Sequence, residues 1–554
     1  MNERNRDKFK TRRSFLSTSA GAIMISSSLM PLSNFAHSTT EGVAAETEFD
    51  YVIVGAGSAG CVLANRLSAG GADVLVLEAG GPDKLPEIHN PIAWPGLMGT
   101  SVDWQYQTEP QANTLNRTHL WARGKVLGGS SSINAMAHHR GAPAGYNSWK
   151  NYGAKGWSFA DLLPYFKKLE TFSGGASEYH GDDGPIYIDV PRGDQQNPAA
   201  KQFIAASVAT GYKPSDDING SQIEGPTWNH IAQKDGKRQS SAVSYLYPAL
   251  ASETPPTVLT DAPVTQLLFK GKRCIGVEYL HNGAPVKVYA HKEVLLAAGA
   301  LESPKLLMLS GVGPKQDLKA VGIKTRVALE GVGKNLQDHL LGAGTVYEAA
   351  QPVPLSKFQH GEAMQYLRTD SALSTPNLLL MFVSFPFSSF ALPPSPSNGY
   401  TILPCIMQPK SKGSITLRSN NPTDYPIIDP NYFSEQEDLK TLMEGFDTAR
   451  EIGANKELSE WRKREVYPAK YWKTAASRQE FTQQAANTFF HPVGTCAMGS
   501  LEESVVDSNL CVRGVENLRV IDASVMPRIP SAPTNAAVLA IAEKAADMIL
   551  VSLL

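Results

Sequence analysis

Gly55, Gly57 and Gly60 stand in YVIVGAGSAG directly after an apolar run, and Glu78 closes a second apolar run, VLVLE. This is the spacing a dinucleotide needs. Gly55 permits a tight turn, Gly57 lets the backbone approach a pyrophosphate, and Gly60 lets the next helix pack against the strand. That helix, from Ala59 to about Leu67 and stopped by Gly70 and Gly71, turns unpaired N–H groups and a positive dipole end towards the phosphates. The Glu78 carboxylate can accept from ribose hydroxyls, and the neighbouring Ser58, Ala59 and Ala79 are counted with the site. A second kind of chemistry is available at His491. An imidazole with an ordinary pKa of about 6.5 can take a proton near neutral pH. Taken alone, His491 reads more readily as a turn histidine fixed by Pro492.

These residues require a scaffold that joins distant parts of the chain. Phe49 to about Glu78 reads strand, helix, strand, the opening of a parallel sheet. Residues 81–120, rich in Pro, Asn and Trp, read as a long extended excursion over a surface. Thr257 to Leu280 alternates around Gly271 as strands joined by a hairpin, and Glu293 to Gly299 is a buried strand. Leu518 to Pro527 forms a strand with Asp522 at its tip. A helix follows from about Ala536 to Leu550, with Thr534 and Asn535 as good capping residues. Both chain ends therefore build one domain, expected over 48–155, 225–315 and 485–554, with 156–224 and 316–484 inserted as a substrate domain. The expected class is α/β, α+β overall: a Rossmann-like domain with a discontinuous partner built on an antiparallel sheet.

The 554 residues leave ample room for a core, and 51 Lys plus Arg against 53 Asp plus Glu provide no basic excess for nucleic acid or anionic lipid. Five cysteines without CxxC spacing predict small buried hydrophobes and no metal site. TRRSFLS at Thr11–Ser17, ahead of a Ser-rich apolar stretch, resembles a twin-arginine export signal spanning residues 1–45, with cleavage after Ala36 or Ala45. No later segment approaches about 18 uninterrupted apolar residues. The expectation is a periplasmic enzyme without a stable membrane anchor.

Three further segments, RGKVLGGSSSIN (Arg123–Asn134), GALESPKLLMLSGVG (Gly299–Gly313) and FFHPVGTCAMG (Phe489–Gly499) with Asn535 downstream, resemble the glucose-methanol-choline flavin oxidoreductases. The choline-dehydrogenase-like branch is the most similar, through DWQYQTEP, GAKGWSFADLLPYFKK and GVGKNLQDHL. The resemblance implies FAD, with its adenine half on Gly55, Gly57, Gly60 and Glu78 and an adenine contact from the Val264 backbone. It also implies flavin contacts from Gly128, Gly129, Asn134, Asp522 and Ala523. Trp104, Arg123, Val126, Ser130, Ala135, Met136, Ala298, Gly299 and Ala536 complete the expected cofactor set. Some relatives attach FAD covalently through a histidine before the asparagine of the first signature. Ile133 stands there in this chain, so dissociable FAD is expected.

The expected reaction is oxidation of a primary alcohol to the aldehyde, with His491 as general base, Asn535 holding the oxygen, and flavin taking the hydride. A lyase on the same scaffold, of the hydroxynitrile-cleaving kind with a structural flavin, is the alternative. Expected electron acceptors are a quinone, a cytochrome or O2. His138 and His139 read as surface or core residues. His339 reads as fixing a domain junction through Asp338. The Phe382–Phe390 stretch reads either as core or as a hint of an apolar substrate.

Overall fold

The computed structural model describes residues 47–551; the expected export signal at 1–45 lies outside the described residues. A parallel sheet runs in the order Thr257–Leu259, Val74–Leu77, Glu48–Val54, Ala284–Leu296, and Leu518–Val520 also pairs with Ala284–Leu296. Val52, Ile53, Leu75 and Val76 are fully buried, which is why these strands read as unbroken apolar runs and not as alternating ones. The long strand Ala284–Leu296 leaves the parallel sheet through its first half, which pairs antiparallel with Arg273–His281. That strand turns through Gly271, at φ +64°, into Val264–Lys270. Thr257–Leu259 is not part of this hairpin. The chain turns at Asp261, in the left-handed region at φ +54°, and Pro263 follows, so the short strand joins Val74–Leu77 instead.

The strand–helix junction at the glycine turn is clamped by the far end of the chain. Helix Ser58–Ala69 packs on helix Asn535–Val551, and Arg66 grips the fully buried Glu543 through Nε at 2.9 Å and Nη2 at 2.7 Å. Tyr245 donates to the same carboxylate at 2.8 Å.

A second sheet is antiparallel, in the order Ala363–Leu367, Leu378–Val383, Gly399–Ile406, Leu340–Gly342, Ala486–Thr488. The expected domain boundary at 485 falls one residue before its last strand. Alternation splits Leu378–Val383 cleanly. Leu378, Leu380 and Phe382 face a core with Phe203, Tyr400 and Ile452, while Leu379, Met381 and Val383 face Tyr366, Leu403 and Phe489. The phenylalanine stretch divides accordingly: Phe382 is core, Phe385 and Phe387 join the Phe489 side, and Phe390 is 70% exposed. A smaller sheet of Glu170–Phe172, Ile186–Asp189, Ile231–Lys234 and Lys237–Arg238 takes two strands from each side of the expected 224/225 boundary. Residues 81–120 do more than cover a surface, since Ile88, Leu97 and Val102 form a small core with Val126 and Ile133. Cys61, Cys274, Cys405 and Cys496 are buried, Cys511 is partly exposed, and all five are free. Among the described residues no helix is long and apolar enough to cross a membrane.

Candidate active site

The three glycines of the turn answer to different demands. Gly55 is left-handed at φ +97°. A Cβ on Gly60 would stand 1.9 Å from the Gly55 carbonyl oxygen, so that position serves the fold. Gly57 has an ordinary φ of −80°, and a Cβ there would meet only Ala297 O at 3.9 Å and Gly129 Cα at 4.0 Å. Nothing in the protein requires glycine at 57. The space before it, at a helix N-terminus without a side-chain cap, fits a pyrophosphate. The first-signature loop closes this cradle: Gly128 donates to Ala56 O at 2.8 Å, and a Cβ on Gly129 would lie 2.7 Å from Gly57 Cα.

Glu78 is buried, and its two oxygens accept the Ala56 and Gly80 N–H groups, each at 2.8 Å. Burial pushes its carboxyl up to about 7 in the protein alone. A carboxylate has about four lone-pair sites, so capacity remains for ribose hydroxyls. Ala79, Ser130, Asn134, Ala135, Val264, Ala298, Gly299 and Ala523 keep partial accessibility, as do Trp104 and Arg123. Ala59, Val126, Met136 and Ala536 are buried behind them. Asp522 binds parts of the protein together: it accepts from Gly299 N–H at 2.9 Å, Ser303 Oγ at 2.5 Å and Ser524 N–H at 2.8 Å. Burial raises its carboxyl above the usual range.

His491 is held from three sides. Its N–H donates to Asp338 Oδ1 at 2.7 Å, while Asp338 Oδ2 accepts Tyr432 OH at 2.5 Å and Thr488 OH at 2.7 Å. Phe490, just before it, is left-handed at φ +63°, and Arg123 Nη2 donates to its carbonyl at 2.7 Å. The ring itself meets His339: the two Nδ1 atoms are 2.9 Å apart. His339 Nε2 lies 3.1 Å from Pro530 O, which can only accept, so the His339 proton sits on Nε2. His339 is neutral, its pKa pushed down to about 3 by burial. The proton between the rings therefore belongs to His491 Nδ1, and His491 Nε2 carries a free lone pair. Burial first, then His339, Arg123 and His139, hold the His491 pKa well below 6.5, yet its ring retains accessible surface. Asp338 joins Tyr432, Thr488 and the His491 backbone, the junction expected of this segment, and the His339 ring in addition touches the candidate base.

Asn535 opens the C-terminal helix, and Ser58 Oγ donates to its Oδ1 at 2.6 Å. Its Nδ2 therefore points both protons away from Ser58 and has no protein acceptor among the described residues. His138 and His139 are buried; His139 bonds Tyr366 OH at 2.9 Å and Asn229 Oδ1 at 2.7 Å, a core role. Donor atoms of His180, Asp217 and His230 come within 4.8 Å of one another. Their protons oppose a metal. His180 spans Glu170 at 2.7 Å and Asp217 at 2.9 Å, and Asn219 Nδ2, at 3.1 Å from His230 Nδ1, leaves the His230 proton on Nε2.

Known proteins share this architecture over nearly the whole chain. GMC oxidoreductase family models match residues 49–341 and 409–542. Mitochondrial choline dehydrogenase of Homo sapiens is 39% identical over 541 residues, covering 92% of this chain and 91% of its own. The crystal structure of pyridoxine 4-oxidase from Mesorbium loti superposes with a TM-score of 0.87 at 39% identity, covering 90% of this chain and 98% of that one. A formate oxidase from Aspergillus oryzae, studied for modification of its FAD, follows at a TM-score of 0.84 and 27% identity, covering 92% of this chain and 99% of that one. With a pyrophosphate cradle at Gly57 and Gly129 and an available imidazole nitrogen on His491, the chain belongs to the GMC oxidoreductases, FAD-dependent enzymes acting on CH–OH donors.

Proposed function

We propose that the enzyme oxidises a primary alcohol to its aldehyde, with His491 Nε2 as the base and Asn535 Nδ2 as donor to the alcohol oxygen. The observation that carries this reading is the His491–His339 contact, which keeps the proton on the far nitrogen and leaves Nε2 able to receive one. A depressed pKa keeps that nitrogen unprotonated at neutral pH. As the hydroxyl proton moves to His491, negative charge grows on the oxygen, and Asn535 with the nearby Arg123 stabilises it. That charge is what makes hydride departure from the carbon feasible. FAD, when bound, supplies the hydride acceptor. Gly57, Gly129 and Glu78 would hold its nucleotide half, and Ser130, Asn134, Ala135 and Ala523 its flavin half. Ile133 offers no attachment atom, so the FAD is noncovalent in this reading. Acid denaturation should leave the yellow colour in the supernatant.

The choline and pyridoxine in the relatives' names are both alcohols, which supports a small alcohol as substrate. The twin-arginine motif supports export to the periplasm, and so a quinone or cytochrome in preference to O2 as acceptor. Cell fractionation checks the first, and reoxidation rates of reduced enzyme with each acceptor check the second. The activity itself is tested by mixing FAD-loaded enzyme anaerobically with a panel of primary alcohols. Loss of flavin absorbance matched by an equal amount of aldehyde is expected. Cleavage of a hydroxynitrile without any bleaching would instead favour the lyase reading.

A further inference from the structure

Among the described residues most buried cations have a partner of opposite sign. Arg519 has Glu293, and Arg140 has Glu170 at 2.5 Å. Arg238 does not. It closes the strand Lys237–Arg238, is 1% exposed, and forms no salt bridge among the described residues. Its Nε donates to Ile88 O at 2.6 Å, and its Nη1 faces Ser131 O at 3.1 Å, Asn134 O at 2.7 Å and Asn134 Oδ1 at 2.8 Å. Nη2 is buried with no acceptor among the described residues. A guanidinium keeps its charge in a protein, and an unpaired buried ion is costly unless something compensates it. Arg117 is also bound only by carbonyls, but it stays partly open to water.

Of the three backbone carbonyls around Arg238, those of Ser131 and Asn134 belong to the GGSSSIN loop, whose Gly129 packs on Gly57 and whose Asn134 keeps partial accessibility. The buried charge thus lies directly behind the segment assigned above to the flavin, and this step rests on that assignment. We propose that Arg238 is a fixed positive charge behind the flavin site, distinct from Arg123 on the substrate side, and that it balances the negative charge that hydride delivery places on the isoalloxazine. The balance is simple. Oxidised isoalloxazine is neutral, and a hydride brings one proton and two electrons. The ring gains one net negative charge, while the hydroxyl proton has gone to His491. A cation held in a water-excluded site favours that anion strongly because little screening intervenes.

The test uses FAD-loaded enzyme and sulfite, whose addition to the ring also leaves a negative charge and needs no alcohol chemistry. Arg238→Met and Arg238→Gln are each expected to weaken sulfite binding at least about tenfold, equivalent to a drop of about 30 mV in a two-electron potential. Arg238→Lys, which keeps the charge, should recover most of it. Should the neutral variants fail to hold FAD, the wild type decides: reduced with dithionite, it should show the spectrum of anionic flavin throughout the acid range. Unchanged sulfite affinity in a neutral variant that retains FAD, or a protonated reduced flavin in the wild type at neutral pH, would overturn the assignment. Because no alcohol is used, failure here leaves the His491 reading untouched.

Discussion

His339 Nδ1 stands 2.9 Å from His491 Nδ1 and accepts its proton-bearing side, so one imidazole selects which nitrogen of the other is free. Replacing His339 with Ala leaves the His491 Nδ1–H unpartnered and its tautomer unselected. A fall in kcat of about tenfold or more is expected, with FAD retained. His339→Asn, which restores an acceptor, should recover part of it. Equal losses in both variants would show that His339 only fills space.

The pH profile follows from the same contact. A base works when unprotonated, so activity is lost as pH falls through its pKa. Burial, His339, Arg123 and His139 place that pKa well below 6.5. The kcat/KM of FAD-loaded enzyme should therefore show no decline centred near pH 6.5 on the acid side. A midpoint at or above 6.5 would contradict the geometry.

Glu78 gives the cofactor site its own pH dependence. In the apoprotein its carboxyl is raised to about 7 by burial. A raised carboxyl favours the protonated native state, so its contribution to apoprotein stability is full in acid and is lost as pH rises towards 7. The ionised form accepts from ribose hydroxyls more strongly, and with more lone-pair sites, than the protonated form. FAD affinity should thus weaken as pH drops below about 7, and Glu78→Gln should flatten that dependence. Calorimetric titration of apoprotein with FAD across pH measures both.

Gly57 and Gly60 separate binding from folding. Gly57→Ala meets no protein atom closer than 3.9 Å and should leave apoprotein melting unchanged. Its FAD affinity should fall at least about tenfold, a loss of about 1.4 kcal/mol. Gly60→Ala forces a Cβ to 1.9 Å from the Gly55 carbonyl oxygen and should destabilise the fold itself, by about 1–3 kcal/mol or more. Thermal melts of both apoproteins, with FAD titrations, distinguish the two roles.

The residues legible in the sequence were those whose demands are local. The Gly55–Gly57–Gly60 turn, Glu78 and the C-terminal helix at Asn535 are written in short spacings, and the structure builds them there. Long-range pairing was not legible. Thr257–Leu259 looks like one arm of a hairpin until its partner proves to be Val74–Leu77, some 180 residues earlier in the chain. Leu378–Val383 and its neighbour Gly399–Ile406 show no two-residue alternation because both are buried on both faces. His339 gave no sign of its partner 152 residues away, and nothing around Arg238 marks a charge that the fold leaves unpaired.

The most direct test of the proposed chemistry is anaerobic reduction of FAD-loaded His491→Ala by a primary alcohol that bleaches the wild type. The variant should keep its yellow colour and FAD content while the rate of bleaching falls by a factor of at least about 100. Bleaching at the wild-type rate would remove His491 from the reaction.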